Sequence, residues 1–119
     1  MQKVIEGKTE EQAAVFAVLS DPTRLRLVKL LCRQEGSHAL CVSALANLLG
    51  VTQSAVSQHL RILKSIGLVK GERRGYRIHY FIKSGALERC RNLVSAALVI
   101  EKSSEKEAMI KGRKMISEG

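Results

Sequence analysis

The sequence predicts a mainly α-helical chain with one small β-hairpin, and three observations lead to that class. Apolar residues recur at helical spacing from Thr9 to Ile66, in segments separated by Asp21-Pro22, Gly36 and Gly50, which are helix starts and stops. After Gly67 the spacing changes to a period of two, with Arg77-Ile78-His79-Tyr80-Phe81-Ile82 following the turn-forming Glu72-Arg73-Arg74-Gly75. Between Thr52 and Lys83 the basic residues Arg61, Lys64, Lys70, Arg73, Arg74, Arg77 and Lys83 face one acid, Glu72, so charge is concentrated where helix gives way to hairpin.

The elements follow in order. Thr9-Glu10-Glu11-Gln12 has the Ser/Thr-x-x-Glu/Gln form of a capping box and opens a first helix through Ser20, with Ala13, Phe16, Ala17 and Leu19 largely on one side. Asp21 as N-cap and Pro22 at the first helical position begin a second helix, whose Leu25, Val28, Leu31 and Cys32 form an apolar stripe before it stops near Gly36. A short connection leads to a third helix, roughly Val42 to Leu49, ending at Gly50. Thr52 then N-caps a fourth. Ala46 at the crossing, Gly50 in the turn and Val56 buried beyond it have helix-turn-helix spacing.

On a wheel of about 100° per residue, Ala55, Val56, Leu60, Ile62, Leu63 and Ile66 gather on the core side of the fourth helix. The opposite side holds Gln53, Ser54, Ser57, Gln58, Arg61, Lys64 and Ser65, without a carboxylate. Such a face suits DNA: Gln pairs with adenine, Arg with guanine and Ser with bases or phosphates, whereas Asp or Glu would be repelled. Thr52, Gln53, Ser54, Ser57, Gln58 and Arg61 are therefore candidate DNA contacts. His59 lies near the middle of the apolar side. A buried, hydrogen-bonded imidazole is its first reading, a phosphate contact or a switch its second. The hairpin forms a wing whose Arg73, Arg74 and Arg77 reach phosphates or the minor groove, and His79 is expected on its surface.

Composition sets the frame. A chain of 119 residues suits one domain, divided as a flexible arm over 1–8, a winged helix-turn-helix domain over 9–102 and a C-terminal extension or frayed tail over 103–119. Mean hydropathy is −0.01 and no apolar run approaches the roughly 20 residues of a membrane span. The N-terminus MQKVIEGKTEEQ lacks a secretory h-region. Three cysteines without CxxC spacing form neither a disulfide framework nor a structural zinc motif. A soluble, cytoplasmic protein is expected. Its net charge of +9 favours an anionic partner.

The segments VLSDPTRLRLVKLL, VSALANLLGVTQSAVSQHLRILKSIGLV and GERRGYRIHYFI together resemble the ArsR/SmtB family of winged-helix repressors, over roughly Phe16 to Ile82. The resemblance implies a homodimer joined through its first and last helices, recognition helices in successive major grooves of an imperfect palindrome, and release of DNA by an inducer. From Ser84, an expected N-cap, the residues Leu87, Cys90, Leu93, Val94, Ala97, Leu98 and Ile100 form an apolar surface that suits a long dimerisation helix.

The inducer is less legible. Metal-sensing members carry a motif of the form E-L-C-V-C-D-L, where this chain has Ala39-Leu40-Cys41-Val42-Ser43-Ala44-Leu45. One thiol of the pair remains. Cys41 could combine with Cys32, His38 or Cys90 if folding gathers them, and no Asp or His follows Phe81 to form the last-helix metal site of another subgroup. Capture of a soft ion such as arsenite by three thiolates would need all three cysteines or sharing across a dimer. Singly, Cys32 reads as a core residue, Cys90 as intermediate, and Cys41, at a helix start, as the reactive or metal-binding candidate. No H-E-x-x-H, P-loop, dinucleotide fingerprint or nucleophile elbow occurs, so an enzyme is not expected. RNA or protein binding, and a constitutive or non-thiol-controlled DNA binder, are the alternatives.

Overall fold

The computed structural model describes residues 8–34 and 39–100. Among these, five helices and three strands follow as α1 (Thr9–Leu19), α2 (Pro22–Arg33), β1 (Leu40–Cys41), α3 (Val42–Leu49), α4 (Gln53–Ser65), β2 (Val69–Arg74), β3 (Arg77–Ile82) and α5 (Ser84–Ala97). All but Lys8 of the expected arm over 1–8, together with the extension over 103–119, Gly36 and His38, lies outside the described residues.

The caps explain most boundaries. Asp21 accepts a 2.9 Å hydrogen bond from the Arg24 N–H, with Pro22 behind it, and Thr52 Oγ1 accepts one of 3.0 Å from Ala55 N–H. Both satisfy helix-start donors that have no intrahelical partner. Between α3 and α4, Gly50 adopts φ 68°, and the chain folds back with Gly50 N–H to Asn47 O at 3.3 Å and Val51 N–H to Ala46 O at 3.1 Å. That pair of bonds is a Schellman motif, whose left-handed residue glycine occupies without strain. The same two-bond pattern ends α4, from Gly67 to Lys64 and from Leu68 to Leu63.

Two expected helix starts and one turn differ. Thr9 is the first residue of α1 and its cap position is Lys8, which makes no side-chain cap bond. Gln12 instead donates through Nε2 to Leu93 O at 3.2 Å, which ties α1 to α5, where an Arg89–Glu11 ion pair also joins them. Ser84 likewise lies inside α5, with Lys83 at the cap. The turn is also later than expected: β2 runs to Arg74, and Gly75-Tyr76 forms a two-residue connection with Arg74 opposite Arg77. Gly75, with φ 68°, stands where a type II′ hairpin turn places glycine.

The sheet has three strands in the order β1-β3-β2, all antiparallel, rather than the expected two. β1 is two residues long, too short to show a period in the sequence. Gln34 anchors it, donating to Tyr80 O and accepting from Leu40 N–H at 3.1 Å.

The core gathers Leu27, Leu45, Val56, Leu60, Leu63 and Leu68, each nearly or wholly excluded from solvent and each stabilising by about 1.5 to 3 kcal/mol. The buried face differs from the expected one on α1 and is rotated on α2, which keeps Val28 and Leu31 of its stripe. On α1, Val15 and Val18 are buried while Ala13, Phe16 and Ala17 are exposed. On α2, Leu27, Val28 and Leu31 are buried while Leu25 and Cys32 are exposed. Both helices are apolar on more than one face, so periodicity alone does not choose between them. Ile62, on the flank of α4, is exposed too. The last helix stops at Ala97, which leaves Leu98, Val99 and Ile100 exposed beyond it.

Candidate nucleic-acid interface

α4 carries its two faces as the wheel places them, except that Ile62 of the core side is exposed. Val56, Leu60 and Leu63 are buried, whereas Gln53, Ser54, Ser57, Gln58, Arg61, Lys64 and Ser65 are all exposed. Thr52 stands at the helix start, its hydroxyl used as the cap. Gly50 and the fully buried Val56 fix the approach of α3 to α4. His59 is half-buried, with Nδ1 3.2 Å from Arg24 Nη1 and Nε2 3.9 Å from Asp21 Oδ1, as a hydrogen-bonded structural imidazole should be.

The wing supplies the other cations. Arg73 is exposed opposite Ile78. Arg74 lies with its guanidinium carbon 5.0 Å from the Phe81 ring centre and its Nη2 3.7 Å from Glu72 Oε1. Glu72 also meets Lys70 at 3.7 Å, so the one acid of the region sits among its cations. Arg77 is held differently: Nη1 lies 3.7 Å from Cys41 Sγ and the guanidinium is 5.6 Å from the Tyr76 ring. Lys64 Nζ, 5.8 Å from the Tyr80 ring, joins α4 to the hairpin. Tyr76, at the tip and 85% exposed, was not singled out by the sequence reasoning. Its signal was an aromatic between Arg74 and Arg77 beside a turn glycine.

The cysteines do not assemble. Cys32 is exposed, not a core residue, while Cys41 and Cys90 are buried. Among the described residues no group of three His, Cys, Asp or Glu side chains could hold a metal ion, so a three-thiolate site within one protomer is not formed. Burial pushes the Cys90 thiol up. Cys41 goes the other way, to about 7. The Ser43 hydroxyl, 3.3 Å from Sγ, is the first cause, followed by the Ala44 N–H, with burial opposing and Arg77 assisting. Sγ makes no geometrical cap bond, so the Ala44 contribution is one of proximity. Opposite Cys41 in the sheet, His79 is half-buried rather than on the surface, its Nδ1 enclosed without a hydrogen-bond partner.

The family described as "Bacterial regulatory protein, arsR family" matches residues 21–70, which span α2, α3, α4 and the start of β2. A crystal structure of a possible transcriptional regulator for arsenical resistance superposes with a TM-score of 0.63 at 33% identity, over 79% of this chain and 93% of that one. The chain belongs to the arsR family. Its similarity within the family extends to a transcriptional repressor SmtB homolog of Synechocystis sp., 47% identical over 73 residues, covering 61% of this chain and 52% of the relative, so the chain spans about half of that protein's length. It is also similar to the solution structure of a homodimeric winged helix-turn-helix DNA-binding domain from Mycobacterium bovis, at 29% identity and a TM-score of 0.58, over 87% of this chain and 88% of that one. The chain has the winged helix-turn-helix fold of its neighbours, and the family and relatives it matches are transcriptional regulators. No helix among its described residues is long and apolar enough to cross a membrane.

Proposed function

We propose that the chain is a transcriptional repressor that binds an imperfectly palindromic operator as a homodimer, with α4 of each protomer in successive major grooves. Gln53, Ser57 and Gln58 read bases, Thr52, Ser54 and Arg61 flank them, and Arg73, Arg74 and Arg77 hold phosphates. The observation that carries the reading is the outward face of α4, fully exposed, polar and free of carboxylates, next to a cationic hairpin. The first and last helices form the dimer, supported by the exposed Phe16 of α1 and the exposed Leu98 after α5. The homodimeric M. bovis domain supports the same assembly.

A thiol-directed inducer acting at Cys41 is the effector reading that the site favours, because a sulfur titrating near 7 touches an arginine of the wing. Cys32 and Cys90, separated from it, are secondary.

The DNA reading is tested by fluorescence anisotropy on an operator selected from a randomised duplex pool and on an unrelated duplex. Gln58→Ala should cost about 1 to 3 kcal/mol on the operator and blunt discrimination, while Arg74→Ala should weaken both duplexes alike and lower the salt slope by about one. Unchanged operator preference in Gln58→Ala would mean that another surface reads the sequence.

A further inference from the structure

The guanidinium of Arg24 meets two helices other than its own. Nε donates to Val18 O and Nη2 reaches Ala17 O at 3.5 Å, both carbonyls of the last turn of α1. Nη1 lies 3.2 Å from His59 Nδ1 on α4. The backbone N–H of the same residue donates to Asp21 Oδ1, and that oxygen is 3.9 Å from His59 Nε2. A guanidinium has donors only, so Nδ1 must be the acceptor, and the neutral imidazole carries its proton on Nε2, the side of Asp21.

We propose that Arg24 is a positioning residue for DNA reading, a latch that fastens the end of α1 to His59 and so fixes the rotation of α4. The proposal rests on the reading that α4 enters the major groove. Its physical basis is the difference between apolar and directional contacts. Val56, Leu60 and Leu63 hold α4 against the core, and the Arg24–His59 contact adds to that packing a directional restraint beside the reading face. A hydrogen bond weakens steeply once its angle is lost. Residue 59 directly follows Gln58 in the helix, so the angle at which His59 is held is the angle at which Gln58 is presented. The Val18 carbonyl, one of the acceptors that a helix end leaves without an intrahelical partner, gives Arg24 a fixed point on a second helix. Arg24 touches neither base nor phosphate in this scheme.

The test uses the full chain with His59→Leu, Arg24→Met and the double variant, each titrated with the selected operator and with an unrelated duplex. His59→Leu puts an aliphatic group on the core side of α4 and keeps the helix packed, so it carries the test even if Arg24→Met fails to fold. Each single variant should bind the operator about tenfold more weakly while holding the unrelated duplex within about twofold, since phosphate contacts by the wing persist. The double variant should be no worse than either single, as two ends of one contact require. His59→Asn, whose Oδ1 can take the place of Nδ1, should recover most of the loss. Operator binding within twofold of the parent in both singles, additive losses in the double, or equal losses on both duplexes would each overturn the latch. Gln58→Ala separates the two ideas: if it loses operator preference while His59→Leu and Arg24→Met keep theirs, the latch alone falls, and if it keeps preference, the recognition-helix reading falls first.

Discussion

Cys41 is only 9% exposed, yet its thiol titrates near 7, because the Ser43 hydroxyl, the Ala44 N–H and Arg77 outweigh a burial that alone would raise it. A folded value below the thiol's ordinary one means that the interaction stabilises the fold fully above the unfolded pKa and is lost as pH falls through about 7. Alkylation of Cys41 by iodoacetamide, followed by peptide mass spectrometry, should therefore rise with a midpoint near 7. Ser43→Ala and Arg77→Met should each move the midpoint upward, and alkylation at Cys41 should lower operator affinity in the parent but not in Cys41→Ser. A midpoint unmoved by both substitutions would show that the thiolate owes nothing to those neighbours, and unchanged DNA binding after modification would remove Cys41 as the effector site. Half of this site was legible beforehand. The place of Cys41 at a helix start and the nearness of Ser43 are local facts of sequence, whereas Arg77, 36 residues away, meets it only because β1 pairs with β3. The Arg24–His59 contact spans 35 residues and was hidden for the same reason: no periodicity records a pairing across the fold.

The two helices of the helix-turn-helix are joined by a connection whose geometry is set by Gly50. A Cβ built there meets nothing within 4 Å, so a substitution is penalised by backbone conformation alone. Gly50→Ala should cost about 1 to 2 kcal/mol and Gly50→Asn less, because Asn tolerates the left-handed region. Thermal unfolding would show it as a lower Tm, by roughly 4 to 8 °C per kcal/mol for a domain of this size. Equal Tm values for the three proteins would mean that the turn relaxes into another conformation. Elements marked by chemistry of this kind were legible: Asp21-Pro22, Thr52 and Gly50 stand where they were expected. β1 was not, since two residues carry no period, and the tip of the wing was placed early because charged residues on the edge strand β2 look like a turn. The face of α1 was misassigned and that of α2 only half caught, Val28 and Leu31 being buried but Leu25 and Cys32 not, where apolar residues wrap around the helix.

Across the whole molecule, the +9 charge of the chain favours an anionic partner such as DNA of any sequence, and the proposed dimerisation would add the selectivity of two half-sites. The surface proposed for that assembly is apolar: Phe16 is 41% exposed, and Leu98, Val99 and Ile100 are 62 to 71% exposed, while Ala13 and Ala17 lie exposed beside Phe16 on α1. Large apolar groups left in water within one protomer point to an interaction surface. Phe16→Glu places a carboxylate in it without touching α4 or the wing. Sedimentation should give twice the 13.1 kDa chain mass for the parent and a single chain for the variant, with the folded circular-dichroism spectrum retained. The second half-site would then no longer be bound intramolecularly, so operator affinity should fall by about 10²- to 10⁴-fold, whereas a duplex with one half-site should be bound by each variant protomer as by one protomer of the parent. A Phe16→Glu protein that stays dimeric and keeps full operator affinity would place the interface elsewhere on the molecule.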